Sequence, residues 1–127
     1  MLLQIPDHVS DDRRRLLQLT ADRLDRQYGS DLLGFVLSGS AGRGLATQHS
    51  DLDLLVIMTP EVVDGPAAPW LHTPELEQIP LTLTHLQEIA KFGDPDHAYR
   101  WSYAWAPVLA DRTGGRIGAA IERQTHL

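Results

Sequence analysis

The stretch Val36–Met58, VLSGSAGRGLATQHSDLDLLVIM, constrains this chain more than any other. It reads as an apolar strand, a glycine-rich turn, a short polar segment, and a second apolar strand that opens on Asp51 and Asp53. Side chains two apart on a strand project to the same face, so the two carboxylates point the same way. They stand among Leu52, Leu54, Leu55, Val56 and Ile57, where like charges repel and burial disfavours ionisation. A divalent cation removes that cost, and Mg²⁺ typically takes one or two carboxylates together with substrate phosphates. The turn upstream offers the complementary half. Gly39, Gly42 and Gly44 allow a sharp turn and close approach of backbone to a ligand. Ser40 adds a hydroxyl, and Arg43 a fixed charge that suits phosphate. Successive backbone N–H groups in such a turn, or at a helix N-terminus after it, cradle anions.

This arrangement resembles the nucleotidyltransferase superfamily, whose fold is shared with DNA polymerase beta. The family pattern is Gly-Ser, Arg-Gly soon after, and Asp-x-Asp further on. Here it stands as Gly39-Ser40, Arg43-Gly44 and Ser50-Asp51-Leu52-Asp53-Leu54. The resemblance implies an α/β (α+β) fold, a small mixed sheet of about four strands flanked by helices, with residues 1–127 as a single nucleotidyltransferase domain. It implies Mg²⁺-dependent transfer of a nucleoside monophosphate from a nucleoside triphosphate, ATP first among them, to a hydroxyl acceptor on a small molecule or a partner protein. Asp51 and Asp53 would be the catalytic residues, holding one or two Mg²⁺ ions. Gly39, Ser40, Arg43, Gly44 and Ser50 would bind the nucleotide.

Composition bounds the rest. A chain of 127 residues can bury a real core as one domain. An apolar content of 43% is ordinary for a globular protein. No run approaches the roughly eighteen apolar residues of a membrane span. Asp7, Asp11 and Asp12 near the N-terminus, with no long apolar segment, do not read as a signal peptide, so a cytoplasmic setting is expected. There are no cysteines, hence no disulfide framework and no thiolate metal site. A formal net charge of −6 argues against tight nonspecific binding to nucleic acid.

In chain order, residues 1–8 are a lead-in containing Pro6. Ser10 suits an N-cap, and Asp11 and Asp12 suit the positive end of a helix dipole. Leu16, Leu17, Leu19, Leu24 and Tyr28 give a helical stripe, and Gly29 ends it. Arg13, Arg14 and Arg15 read as a solvated helix face. Leu32–Leu37 reads as a buried strand, and residues 43–48 as about one helical turn. His49 is a loop histidine beside the Asp pair. After Met58, Pro60, Pro66, Pro69 and Pro74 mark a loop or a pair of short turns, where Trp70 and His72 are candidate contacts to a base or acceptor, with Trp70 packing the loop down as the alternative.

Residues Ile79–Thr84 alternate apolar and polar and read as a third strand, beginning near Pro80 or lying at an edge. Active members of the family usually carry a third carboxylate here, which binds metal and acts as base toward the acceptor hydroxyl. Alternation places Thr82 at that position, with Glu75 and Glu77 ahead of the strand. Thr84 and Gln87 then resemble a capping box, opening a helix from His85 to Phe92. Asp94-Pro95 starts a further helix carrying Tyr99, Trp101, Tyr103 and Trp105, read as core or homodimer contacts. Pro107–Ala110 is a last short strand, residues 111–115 a turn, and Ile117, Ala120 and Ile121 mark a closing helix.

Ending at Leu127 without a further helical domain, the chain resembles the minimal nucleotidyltransferase class, which includes small antitoxins paired with HEPN-type toxins. With Thr82 in place of the third carboxylate, a catalytically silent, partner-binding member is the alternative. A dinucleotide-binding module fits poorly. Gly42-Arg43-Gly44 lacks the third glycine, and that reading leaves Asp51 and Asp53 unexplained. No Gly-Lys-Ser/Thr of a Walker-type loop occurs.

Overall fold

The computed structural model describes residues 1–38, 52–66, 68–92 and 106–125. Its frame is a five-stranded mixed sheet in the order β3-β4-β2-β1-β5. The strands are β1 (Leu32–Ser38), β2 (Leu52–Met58), β3 (Leu71–His72), β4 (Leu76–Thr82) and β5 (Val108–Asp111). β1 is antiparallel to β2 and to β5, β2 is parallel to β4, and β3 is antiparallel to β4. Helices α1 (Asp11–Tyr28), α2 (Pro60–Val63), α3 (Leu83–Phe92) and α4 (Arg116–Thr125) complete the described elements, with a 3₁₀ turn at Gly29–Asp31. The mixed sheet with flanking helices is the expected fold class. The fifth strand is β3, which lies inside the proline-rich stretch that the sequence reads as loop.

β1 and β2 are buried on both sides, which is why they read as continuous apolar runs instead of alternating ones. One face carries Phe35, Leu37, Leu52, Leu54, Val56, Met58 and Leu76 and packs with Leu17, Ala21 and Leu24 of α1. The other carries Val36, Leu55, Ile57, Ile79 and Leu81 and packs with Leu86 of α3 and Ile117, Ala120 and Ile121 of α4.

α1 begins and ends where its caps dictate. The Ser10 Oγ accepts a hydrogen bond from the Arg13 N–H, and Gly29 ends the helix with φ +55°, a conformation that costs glycine little. Leu19 departs from the expected stripe. It is 62% exposed, while Thr20 and Ala21 are buried in its stead. The Thr20 hydroxyl is satisfied at 2.8 Å by the Leu16 carbonyl of its own helix, so a polar residue enters the core without an unmet donor. The arginines of the first turns are not all solvated. Arg14 Nε donates to the Val9 carbonyl at 3.0 Å, and its guanidinium also reaches the Pro6 carbonyl, fastening the lead-in to the helix.

Gly34 sets how closely β1 meets its neighbours. A Cβ there would collide with the Ala110 carbonyl oxygen of β5 and stand 2.6 Å from Ile117 Cδ1 of α4. The glycine therefore lets a strand and a helix close on the sheet together.

β4 begins three residues earlier than alternation suggests. Proline inside a strand is tolerated where its missing N–H faces an unpaired edge. β3 covers only Glu77 and Gln78, so among the described residues no strand pairs with that side of β4 at Pro80. α3 likewise starts earlier, at Leu83. Its cap is Thr82, whose Oγ1 accepts from the His85 N–H at 3.0 Å, and not Thr84. The closing helix α4 buries Ile117, Ala120 and Ile121 as expected. The helix expected after Asp94, with its aromatic pairs, and the turn at residues 43–48 lie outside the described residues.

Candidate functional site

The register of the sheet places four polar side chains in one row. Ser38 of β1 pairs with Asp53 of β2. Asp53 pairs with Glu77 of β4, and Glu77 with His72 of β3. Residues in register on adjacent strands share a face and stand about 4.8 Å apart along the row. The face is the one packed against α3 and α4. The next two rows on it are Val36, Leu55 and Ile79, then Gly34, Ile57 and Leu81. Apolar side chains thus give way to polar ones at one end of the sheet.

Each member of the row is held differently. Ser38 is buried, and its hydroxyl donates to the Asp53 carbonyl oxygen at 3.2 Å, tying β1 to β2 at the site. Asp53 is half-buried. Glu77 is 37% exposed at its side chain, with the imidazole Nδ1 of His72 at 3.7 Å from its Oε2. His72 is 70% exposed and lends nothing to the core.

This register corrects the position expected for a third carboxylate. Thr82 is opposite Met58, five residues up the strand from the row, and is used as a helix cap. Glu77 does not precede β4. It is the second residue of the strand and the partner of Asp53. The polar pair in Leu76-Glu77-Gln78 hides the strand's alternation in the sequence. Gln78 is a buried amide on the opposite face, accepting from Arg23 Nη2 at 2.6 Å and donating to the Pro69 carbonyl at 3.0 Å. A buried, satisfied glutamine looks like loop in a hydropathy pattern. His72, a candidate substrate contact by sequence, is brought into the row by the structure.

Of the other predicted site residues, Gly39, Ser40, Arg43, Gly44, Ser50 and Asp51 lie outside the described residues, as does His49. The chain enters that stretch from the Ser38 end of β1 and leaves it into the Asp53 end of β2. Both strand ends belong to the polar row.

A family model for the nucleotidyltransferase domain matches residues 17–104, more than half of the chain. The chain belongs to the nucleotidyltransferase family. Nucleotidyl transfer from a nucleoside triphosphate is the general chemistry that this membership supports. A search of curated proteins found no match. Among the described residues no helix is long and apolar enough to cross a membrane.

The donor set at the row fits a hard divalent cation. Asp53 and Glu77 offer carboxylate oxygens from adjacent parallel strands on one face, which is Mg²⁺ chemistry and not that of a soft metal. Among the described residues no group of three ligands forms; Asp51, which the sequence adds to the set, is outside them.

Proposed function

We propose that this chain transfers a nucleoside monophosphate from a nucleoside triphosphate, ATP first among them, to a hydroxyl acceptor on a small molecule or partner protein. Asp51, Asp53 and Glu77 form its carboxylate set. The register partnership of Asp53 with Glu77 is the observation that carries this reading. It supplies a third carboxylate where the sequence alone offered Thr82, and so favours an active enzyme over a silent binder.

The roles follow from the order of the row. Gly39, Ser40, Arg43, Gly44 and Ser50, on the stretch joining β1 to β2, would bind the triphosphate through backbone N–H groups, hydroxyls and the guanidinium. Asp51 and Asp53, joined by Glu77, would hold one or two Mg²⁺ ions, which when bound neutralise phosphate charge and stabilise in-line displacement at the α-phosphorus. Glu77, one strand further on, is placed to take the proton from the acceptor hydroxyl. A bond then forms from that oxygen to the α-phosphorus, the bond to the β-phosphate oxygen breaks, and pyrophosphate leaves. The acceptor would approach from the β3 side of Glu77, since the triphosphate enters from the β1 side.

The test is pyrophosphate release from Mg·ATP, with transfer of α-labelled phosphate followed in parallel on candidate acceptors. Release that is lost in both Asp53→Asn and Glu77→Gln supports the proposal. Release that survives Glu77→Gln removes Glu77 from the mechanism.

A further inference from the structure

Resting on the proposed function, we infer that His72 is a positioning residue that holds the Glu77 carboxylate from the acceptor side. Glu77 has three side-chain torsions and is only partly buried. Fixing so free a side chain costs rotamer entropy, so a productive orientation needs contacts that oppose that cost. From the β2 side a cation held with Asp53 would supply one. On the β3 side the described structure places His72, in register with Glu77 and 3.7 Å from it. That is an ion-pair separation, longer than a hydrogen bond. Contacts of this kind commonly tighten only when substrate is bound.

The mounting of His72 is firmer than a two-residue strand requires. Between His72 and Glu77 the chain makes a tight turn sealed by Thr73. Its N–H donates to the Leu76 carbonyl at 2.9 Å, and its Oγ1 accepts from the Leu76 N–H at 3.0 Å and the Glu75 N–H at 3.3 Å. On the far side of β3, Gln78 grips the Pro69 carbonyl. The backbone of His72 is therefore fixed at both ends, while its ring stays 70% exposed. A ring so exposed does not stabilise the core, and what it touches among the described residues is the carboxylate. Carboxylate ligands of metals are oriented by such outer partners, whose loss typically costs about 10–100-fold in metal affinity or activity.

The experiment measures Mn²⁺ binding by electron paramagnetic resonance in the presence of α,β-methylene-ATP, for the full chain and its Asp53→Asn, His72→Ala and His72→Asn variants. Imidazole ¹⁵N spectra of the wild type and Glu77→Gln, without metal, accompany it. Asp53→Asn should abolish the Mn²⁺ site. His72→Ala should weaken it by about 10-fold or more, with the melting temperature unchanged. His72→Asn, which sets an amide N–H near the place of Nδ1, should recover most of that loss. Glu77→Gln should move the Nδ1 resonance of His72 and leave the distant histidines in place. Equal Mn²⁺ affinity in wild type and His72→Ala, with Asp53→Asn defective, would overturn the inference and leave the proposed site standing. Equal losses in His72→Ala and His72→Asn would overturn it too, as a bulk effect of substitution. Full Mn²⁺ binding by Asp53→Asn would overturn the proposed site and this inference together.

Discussion

β1 has a carboxylate beside it at each end, Asp111 and Asp53, and Asp111 is held quite differently from Glu77, the strand partner of Asp53. Gly34, near its start, is paired with Asp111 of β5; Ser38, its last residue, is paired with Asp53 of β2. Asp111 is saturated by its own chain. Its Oδ1 accepts from the Thr113 N–H at 2.7 Å and the Thr113 hydroxyl at 2.5 Å, and its Oδ2 from the Gly118 N–H at 3.3 Å. Thr113 in turn caps α4 through the Arg116 and Ile117 N–H groups. Burial raises the pKa of Asp111, but the hydrogen bonds from Thr113, Gly118 and Ile117 outweigh it and hold the carboxyl below the usual range. At the other end Glu77, the neighbour of Asp53, meets one side chain among the described residues, and that at 3.7 Å. A carboxylate with its lone pairs filled by backbone is a structural device. Glu77, which shares a face with Asp53 and meets no backbone donor among the described residues, is suited to the cation site of the proposed function.

Substitutions at the two ends should therefore fail in different currencies. The largest effect is expected from Asp53→Asn and Glu77→Gln. Each should cut nucleotidyl transfer by at least roughly 100-fold, measured as pyrophosphate release, with urea midpoints close to wild type. At the other end, Gly34→Ala should destabilise by about 1–3 kcal/mol by forcing β5 and α4 away from β1. Asp111→Ala should cost a similar ~1–3 kcal/mol, since several donors lose their acceptor. Urea unfolding checks both, and the Mg·ATP affinity of the folded fraction should not change. Thr82→Ala should cost about 1 kcal/mol as a lost helix cap and leave transfer intact. A transfer defect there would return Thr82 to the site.

The acid response should sharpen the same contrast with the smallest effect. Asp25 is also held below the usual carboxylate range, chiefly by its hydrogen bond with Arg112, whose Nη2 lies 2.7 Å from Oδ1. A carboxyl with a depressed folded-state pKa binds protons more readily when unfolded. Its contribution is full above the ordinary value of about 4 and fades as pH falls through the folded value. Stability should thus drop below about pH 4, and Asp111→Asn should show a shallower fall than wild type. Urea midpoints taken from pH 6 down to pH 3 measure this.

Much of this was legible from sequence because the causes are local. Ser10, Gly29 and the Asp11-Asp12 pair mark α1 by capping chemistry, and Ile117, Ala120 and Ile121 mark α4 by period. The Gly-Ser and Asp-x-Asp spacing pointed to the family, to which the match over residues 17–104 assigns the chain. What sequence concealed depends on pairing between distant strands. Glu77 could not be matched to Asp53 without the β2–β4 register, and β3 is too short and too exposed to carry a pattern. Pro80 reads as a strand start or as an edge position, and the second holds: among the described residues no strand pairs with that side of β4 there, and the strand runs through it. The buried Gln78 broke the alternation because its partners, Arg23 and Pro69, lie far off in sequence or in a loop. Gly34 gave no signal at all, since the contact it permits is made from β5 and α4.

The most direct measurement is a calorimetric titration of Mg·ATP into the wild-type chain, Glu77→Gln and Asp111→Asn, each shown to be folded. The account predicts Mg²⁺-dependent binding in the wild type and Asp111→Asn, and binding weakened by at least about 10-fold in Glu77→Gln. Glu77→Gln binding Mg·ATP as tightly as wild type would contradict it, since the partner of Asp53 would then have no share in the site.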